Sequence, residues 1–327
     1  MKKTLLTLII IFVVFCIYWT AGRSIMLNAL DSQFKSLESQ GYDIDHKGLS
    51  AGGFPLLFRS SLTEPDIVSS RAVSKPWSIK ADNVIMQASV FNPLEWNIRH
   101  RGEARIDLRG PKGKRWLFDV RPFSLDLETN LKLSGNIKSL HAELNRPQIQ
   151  AVIGTLPPLV GLDMAQINIT PQNEDLKYNI SLTNAFLEKE TLSKWQTAFG
   201  PKVSSIDAVV FAKGLESFDQ NEFQRWKTSG NLLGKSWTIN WNGNIFTGDF
   251  DLKLTDKGVD GSVRAEVENL PEIINQFAVA GILTKQQANS LKLGTILLPK
   301  NNNGQQEITF NFKDGYVLLF GQRLYKF

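Results

Sequence analysis

Past residue 23 the chain contains no cysteine; its only one, Cys16, lies in the opening apolar run. A disulfide framework and a cysteine metal site are both excluded for the remaining 304 residues (327 minus 23). Histidine is nearly as scarce, and His46, His100 and His141 stand far apart without metal-ligand spacing. Positive charge is not concentrated either. The net charge of +5 is spread along the chain, with no Lys/Arg block of the kind that marks a nucleic-acid arm. The nearest approach, Arg99 to Arg115, is broken by Glu103 and Asp107. It reads as a solvated strand face or as a contact for anionic headgroups. No low-complexity linker and no strict short repeat divides the sequence, so length alone indicates one or two domains or one long β-rich unit. Such a chain is long enough to hold together by its core.

One further absence is informative. From Thr4 to Gly22 there is no charged side chain, and Leu5 to Ile17 is almost wholly aliphatic or aromatic. As a helix those residues would be about 28 Å long, close to the roughly 30 Å hydrocarbon core of a bilayer. Lys2 and Lys3 precede the run, and Tyr18 and Trp19 lie near its far end, where amphipathic rings favour headgroups. The apolar core is longer than that of a cleaved signal, and Thr20-Ala21-Gly22 is only a passable cleavage site. Bulky Phe15 before Cys16 speaks against lipoprotein processing. Residues 1–23 are therefore expected to be an uncleaved transmembrane anchor with a cytoplasmic N-terminus, leaving the bulk of the chain periplasmic and the protein single-pass in the inner membrane.

Residues 24–41 carry Ile25, Leu27, Leu30, Phe34 and Leu37 at helical spacing, and Gly41 suits a left-handed helix end. This amphipathic stalk is expected to continue the anchor. From Tyr42 the apolar period changes to two. Leu176, Tyr178, Ile180 and Leu182 alternate with Lys177, Asn179, Ser181 and Thr183. Trp237, Ile239 and Trp241, then Phe246 to Leu254, then Val259 to Val267, spell a three-strand meander with turns at Gly243-Asn244 and Asp256-Lys257-Gly258. Helices are expected at 189–199, 219–227, 271–279 and 284–291, with Pro271 at a first position. The predicted fold is mainly β with a few short helices. An N-terminal transmembrane helix leads into an extended, curved antiparallel sheet spanning 42–327, as a groove, half-barrel or sandwich. An internal joint is expected near 154–161, at Pro157-Pro158.

The motifs that resemble chemistry fail on context. Gly48-Leu49-Ser50-Ala51-Gly52 matches the hydrolase elbow, but Gly53-Phe54-Pro55 and a strand follow where a helix is required. Gly230 to Ser236 resembles a phosphate loop one residue short, and leads into a strand rather than a helix. No enzyme, cofactor, metal, nucleotide or nucleic-acid partner is expected. Gly52, Gly53, Phe54 and Pro55 read as a tight structural turn, or alternatively as a functional rim of the sheet.

The single N-terminal span, the stalk helix, Gly53-Phe54-Pro55, the Asn269-Leu270-Pro271-Glu272 helix start and the closing Phe312-Lys313-Asp314-Gly315-Tyr316-Val317 carry a resemblance. Together they resemble an uncharacterised alphaproteobacterial envelope protein family, domain of unknown function 2125. The resemblance implies an envelope location and carries over no catalytic residue. More loosely, the architecture is similar to AsmA-like lipid-transfer proteins.

Two-faced strands with few helices leave a surplus of apolar sheet face. If it is sheltered but open, membrane lipid or another hydrophobic ligand is the expected partner. Trp237, Ile239, Trp241, Phe246, Phe250, Leu252, Phe310 and Phe312 would then line the groove, and they serve equally well as core. If the face is covered, a non-catalytic scaffold for envelope proteins is the alternative.

Overall fold

The computed structural model describes residues 2–70, 76–109, 114–132, 137–155, 159–188, 193–218, 220–255, 258–296, 298–302, 304–319 and 321–326. Among these the protein is mainly β, with twenty strands and five helices, and every strand pairing is antiparallel. The chain forms two compact units, Met1–Ser134 with Pro147–Thr155, and Gly135–Arg146 with Leu156–Phe327. One of its crossings falls at Thr155/Leu156; the Pro157-Pro158 pair lies outside the described residues.

The first unit begins with a single helix, α1 (Lys2–Ser39), which takes in both the apolar run and the expected stalk. Helix is the form that satisfies every backbone group of an apolar segment internally. It stops where expected. Gly41 sits at φ 86°, and the Tyr42 N–H returns to the Leu37 carbonyl (3.1 Å).

Strands β1 (Asp43–Asp45), β2 (Gly48–Gly52), β3 (Leu57–Thr63), β4 (Asp66–Val68), β5 (Trp77–Ala81) and β6 (Asn83–Ser89) follow. The long β7 (Asn92–Arg109) and β8 (Arg115–Leu131) come next. The ladder runs β2–β3–β6–β7–β8, while β1–β4–β5 pairs onto the second half of β7. The Gly48–Gly52 motif is strand β2, not a turn. In the β7–β8 pair, Gly102 faces Phe123 and Ala104 faces Val120, so β8 takes one more residue than β7 between the two pairs. This bulge moves the inward set from Leu125 and Phe123 to Val120 and Phe118.

The chain then gives β9 (Ile137–Asn145) to the second unit and returns β10 (Ile149–Ile153) to the edge of β8. The second unit continues with β11 (Leu159–Gly161), β12 (Met164–Gln172), β13 (Asp175–Leu187), α2 (Ser193–Phe199) and β14 (Lys202–Lys213). After α3 (Gln220–Ser229) come β15 (Asn231–Trp241), β16 (Asn244–Thr255) and β17 (Gly258–Val267). The helical pair α4 (Leu270–Val279) and α5 (Lys285–Ile296) precedes β18 (Gln306–Lys313), β19 (Tyr316–Leu319) and β20 (Gln322–Lys326). The ladder is β9–β12–β13 and then each strand in order to β20, with β11 against the end of β13. It is open: among the described residues β9 and β20 each pair on one side only.

Local chemistry explains the joints. The β15–β16 turn is Asn242-Gly243, one residue earlier than the sequence suggested, with both residues at positive φ (51° and 82°). That is the geometry a two-residue hairpin requires. Pro271 takes the second position of α4 rather than the first, after Asn269 and Leu270. α5 starts with a reciprocal cap: Gln287 N–H donates to Thr284 Oγ1 (3.2 Å) and Thr284 N–H donates to Gln287 Oε1 (2.9 Å). Its end is satisfied by the Gln306 amide, which donates to the Thr295 carbonyl (2.7 Å).

Candidate functional site

Strand register places most apolar residues of the second unit on one face, with Val209, Phe211 and Leu233 on the other. Ile167, Ile180, Ala208, Trp237, Gly248, Ala265 and Ile308 form one row across consecutive strands. Ile169, Tyr178, Val210, Gly234, Phe250, Val263 and Phe310 form the next. The opposite face carries Lys177, Asn179, Asp207, Thr238, Thr247 and Arg264, with Arg264 ion-paired to Asp249 across β16–β17.

Helices lie against the two ends of the apolar face. At one end α4 and α5 bring Ile273, Ile274, Ala288 and Leu291 onto Ala265, Val267 and Ile308, all buried. Phe199 of α2 packs among Trp241, Phe246 and Phe277. At the other end Trp226 of α3 closes over Leu176, Ala212 and Leu232, and its indole N–H donates to the Lys213 carbonyl (2.8 Å). Between the ends the face is only half covered. Tyr178, Ile180, Ala208, Val210, Phe250 and Val263 are half-buried, and Ile167 is 36% exposed. Burial pushes the Tyr178 phenol above its ordinary range. From Ile167 on β12 to Val263 on β17 this strip crosses six strands, roughly 24 Å at about 4.8 Å between strands.

All the expected groove residues share this face, but they divide in their surroundings. Trp237, Trp241, Phe246 and Phe310 pack against the buried cluster under α4 and α5, and Ile239 joins the adjoining cluster of Leu162, Ala185 and Val203. Phe250 lies over Gly234, whose added Cβ would fall 2.3 Å from its ring. Leu252 and Phe312 lie on either side of Gly261, nearer the α3 end. The open strip instead draws on Ile167, Tyr178, Ile180, Ala208 and Val210, whose alternation was visible in the sequence but whose lack of cover was not. Two buried polar atoms at the α4 end, Trp237 Nε1 and Gln276 Oε1, have no hydrogen-bond partner among the described residues.

In the first unit, the Gly52-to-Pro55 turn is the seat of α1. Gly53, at φ 99°, brings its backbone so near Leu57 that a Cβ would lie 2.6 Å from the Leu57 carbonyl oxygen. Phe54 meets Trp19 edge-on (5.2 Å between centroids) and Phe15 at 6.3 Å. Trp19 Nε1 donates to the Leu57 carbonyl (2.9 Å), and the Tyr18 hydroxyl donates to the Val90 carbonyl (3.0 Å). Met26, Phe58 and Val90 are buried together, and Gly22 lets α1 approach the Phe58 ring.

Charged groups in this unit neutralise one another. A polar cleft of about 200 Å³ is lined by Glu64, Lys80, Asp82, Glu103, Arg105 and Asp119. Buried Asp119 accepts from Arg105 (2.7 Å) and Arg121 (2.6 Å). Those hydrogen bonds, Arg105 foremost, hold its carboxyl below the usual range against the opposing effect of burial. His100 Nδ1 meets the Asn83 carbonyl (2.9 Å) and His141 Nδ1 meets Asn168 Oδ1 (2.6 Å), as strand residues. Among the described residues no group of three or more His, Cys, Asp or Glu could hold a metal ion. Lys235 of the loop-like Gly230–Ser236 motif lies in β15, over the Phe211 ring.

A family model described as an uncharacterized protein conserved in bacteria (DUF2125) matches residues 19–324, nearly the whole chain. The chain belongs to the DUF2125 family. For this DUF2125 chain no curated protein and no solved structure matches, and the resemblance to AsmA-like proteins is not shown. The match takes in the second half of α1, both units and the last hairpin.

Proposed function

We infer that this is a single-pass protein of the bacterial inner membrane, its two units on the periplasmic side, which holds the acyl chains of a lipid along the apolar strip of the second unit. The observation that carries the reading is the half-covered strip itself: a continuous row of apolar side chains left without a second layer between two helical ends. Its length exceeds the roughly 15 Å hydrocarbon depth of one leaflet, so an acyl chain fits along it. Among the described residues one helix, α1, is long and apolar enough to cross a bilayer, and it would tether the chain to a source of lipid.

The test is organic extraction and mass spectrometry of detergent-purified protein. The reading expects a phospholipid or glycolipid from the wild type and its loss from Ala208→Phe, a substitution that fills the strip. Recovery of no lipid from either protein overturns it. A scaffold role is the second reading, favoured by Val279, Leu293 and Ile296 on the α4–α5 pair, which are 68–80% exposed. In vivo crosslinking from position 293 to a discrete envelope protein, with no lipid recovered, supports that role instead.

A further inference from the structure

The span available to α1 is shorter than its apolar length suggests. Among the described side chains Phe15 is the first that docks on the body, and residues 4–14 before it cover about 16 Å. A hydrocarbon core of about 30 Å needs Thr4 to Gly22 in full. The missing 12 Å or so is the stretch that Tyr18 and Trp19 hydrogen-bond to the Val90 and Leu57 carbonyls. Whatever lies at that level must enter the membrane with the helix.

Two turns lie there, at the same end of the β3–β6 pair, where Leu57 faces Ser89 and the Val90 N–H donates to the Leu56 carbonyl (3.1 Å). Their outermost side chains are apolar and bare: Phe54 is 47% exposed, Leu56 57% and Phe91 78%. On a solvated turn such a cluster has no use, whereas beside a spanning helix it continues the helix's own lipid-facing surface.

We propose that the β2–β3 and β6–β7 turns form a membrane seat, with Phe54, Leu56 and Phe91 inserted into the outer leaflet around residues 15–19 of α1. The seat rests on the reading of α1 as a retained anchor. Its occupant is phospholipid at the boundary between headgroups and acyl chains, where Tyr18 and Trp19 also prefer to lie. It makes α1 and the first unit one rigid body relative to the bilayer.

The experiment uses the full chain carrying Cys16→Ser, with single cysteines Leu56→Cys, Phe91→Cys or Thr63→Cys labelled with an environment-sensitive fluorophore. Position 63 lies at the far, exposed end of β3, about 20 Å from Leu57. Each protein is reconstituted into phosphatidylethanolamine–phosphatidylglycerol vesicles containing lipids brominated near the top of the acyl chain, and vesicle flotation reads the anchor separately. The seat predicts roughly twofold quenching and a blue shift at 91 and 56, with none at 63. Label 56 carries the result if the substitution at 91 disturbs folding. Flotation with 56 and 91 as unquenched as 63 overturns the seat and leaves the anchor standing. Failure to float overturns the anchor and the seat with it.

Discussion

Gly22 decides whether α1 is bolted to the first unit. An ideal Cβ at this position would lie 2.5 Å from Cζ of Phe58, and ordinary carbon contacts are about 3.5–4.0 Å, so about 1 Å must be found. The Phe58 ring is buried in one cluster with Met26 and Val90, so turning it aside disturbs packed neighbours. Overpacking of this kind costs about 1–3 kcal/mol, while replacing a helical glycine by alanine returns about 1 kcal/mol. The net for Gly22→Ala is therefore about 0–2 kcal/mol against docking, up to about 30-fold in the local opening equilibrium. Gly22→Leu has no such compensation on the same scale and should release the helix, taking the Trp19 and Tyr18 hydrogen bonds with it. The assay is amide exchange by mass spectrometry in nanodiscs. Residues 53–60 and 88–92 should lose protection in the leucine variant and partly in the alanine variant, while peptides of β13–β15 stay as in the wild type. Wild-type protection at both turns in Gly22→Leu would refute the claim that this glycine is a contact point.

Two further outcomes follow from the local chemistry. Asp119→Asn leaves Arg105 and Arg121, each roughly half exposed, without their shared carboxylate, and should cost about 1 kcal/mol at neutral pH. Because the folded carboxyl titrates below its unfolded value, its contribution is present above about pH 4 and is lost as pH falls through the folded value. Denaturant melts of the variant and the wild type should therefore converge in acid, and a constant gap across pH would contradict the pairing. Thr284→Ala removes one half of the α5 cap and should cost about 1 kcal/mol, seen as a fall of about 2–4 °C in the melting of the second unit.

Period-two alternation in Leu176 to Leu182 and Trp237 to Leu254 made the strands of the second unit legible, because one face of each is apolar and the other polar. The single long α1 was legible for the same kind of reason: the helical spacing of Ile25 to Leu37 carries on from the uncharged run, with no proline before Gly41. The length of β7 and β8 was not. Leu125 and Leu127 belong to the same strand as Phe118 and Val120, but the bulge between them changes the parity, and two short strands are what a strict alternation reports. The site was half visible. Sequence puts Trp237, Trp241, Phe246 and Phe310 on the right face, yet cannot tell that α2, α4 and α5 would settle on them while Ile180 and Ala208 stayed uncovered. That choice is made by contacts across more than 30 residues of chain, between Phe199 and Phe246 for instance, which no local pattern records.

The order in which the chain visits its two units has a consequence for how it can be cut or made. Because β9 is given away before β10 comes back, a fragment ending near residue 134 lacks the strand that completes the edge of β8. A fragment beginning near 147 lacks the partner of β12. Neither half can be produced intact as a simple truncation. During synthesis the first half must also wait, with its last ladder unfilled, until the strand destined for its neighbour has already emerged.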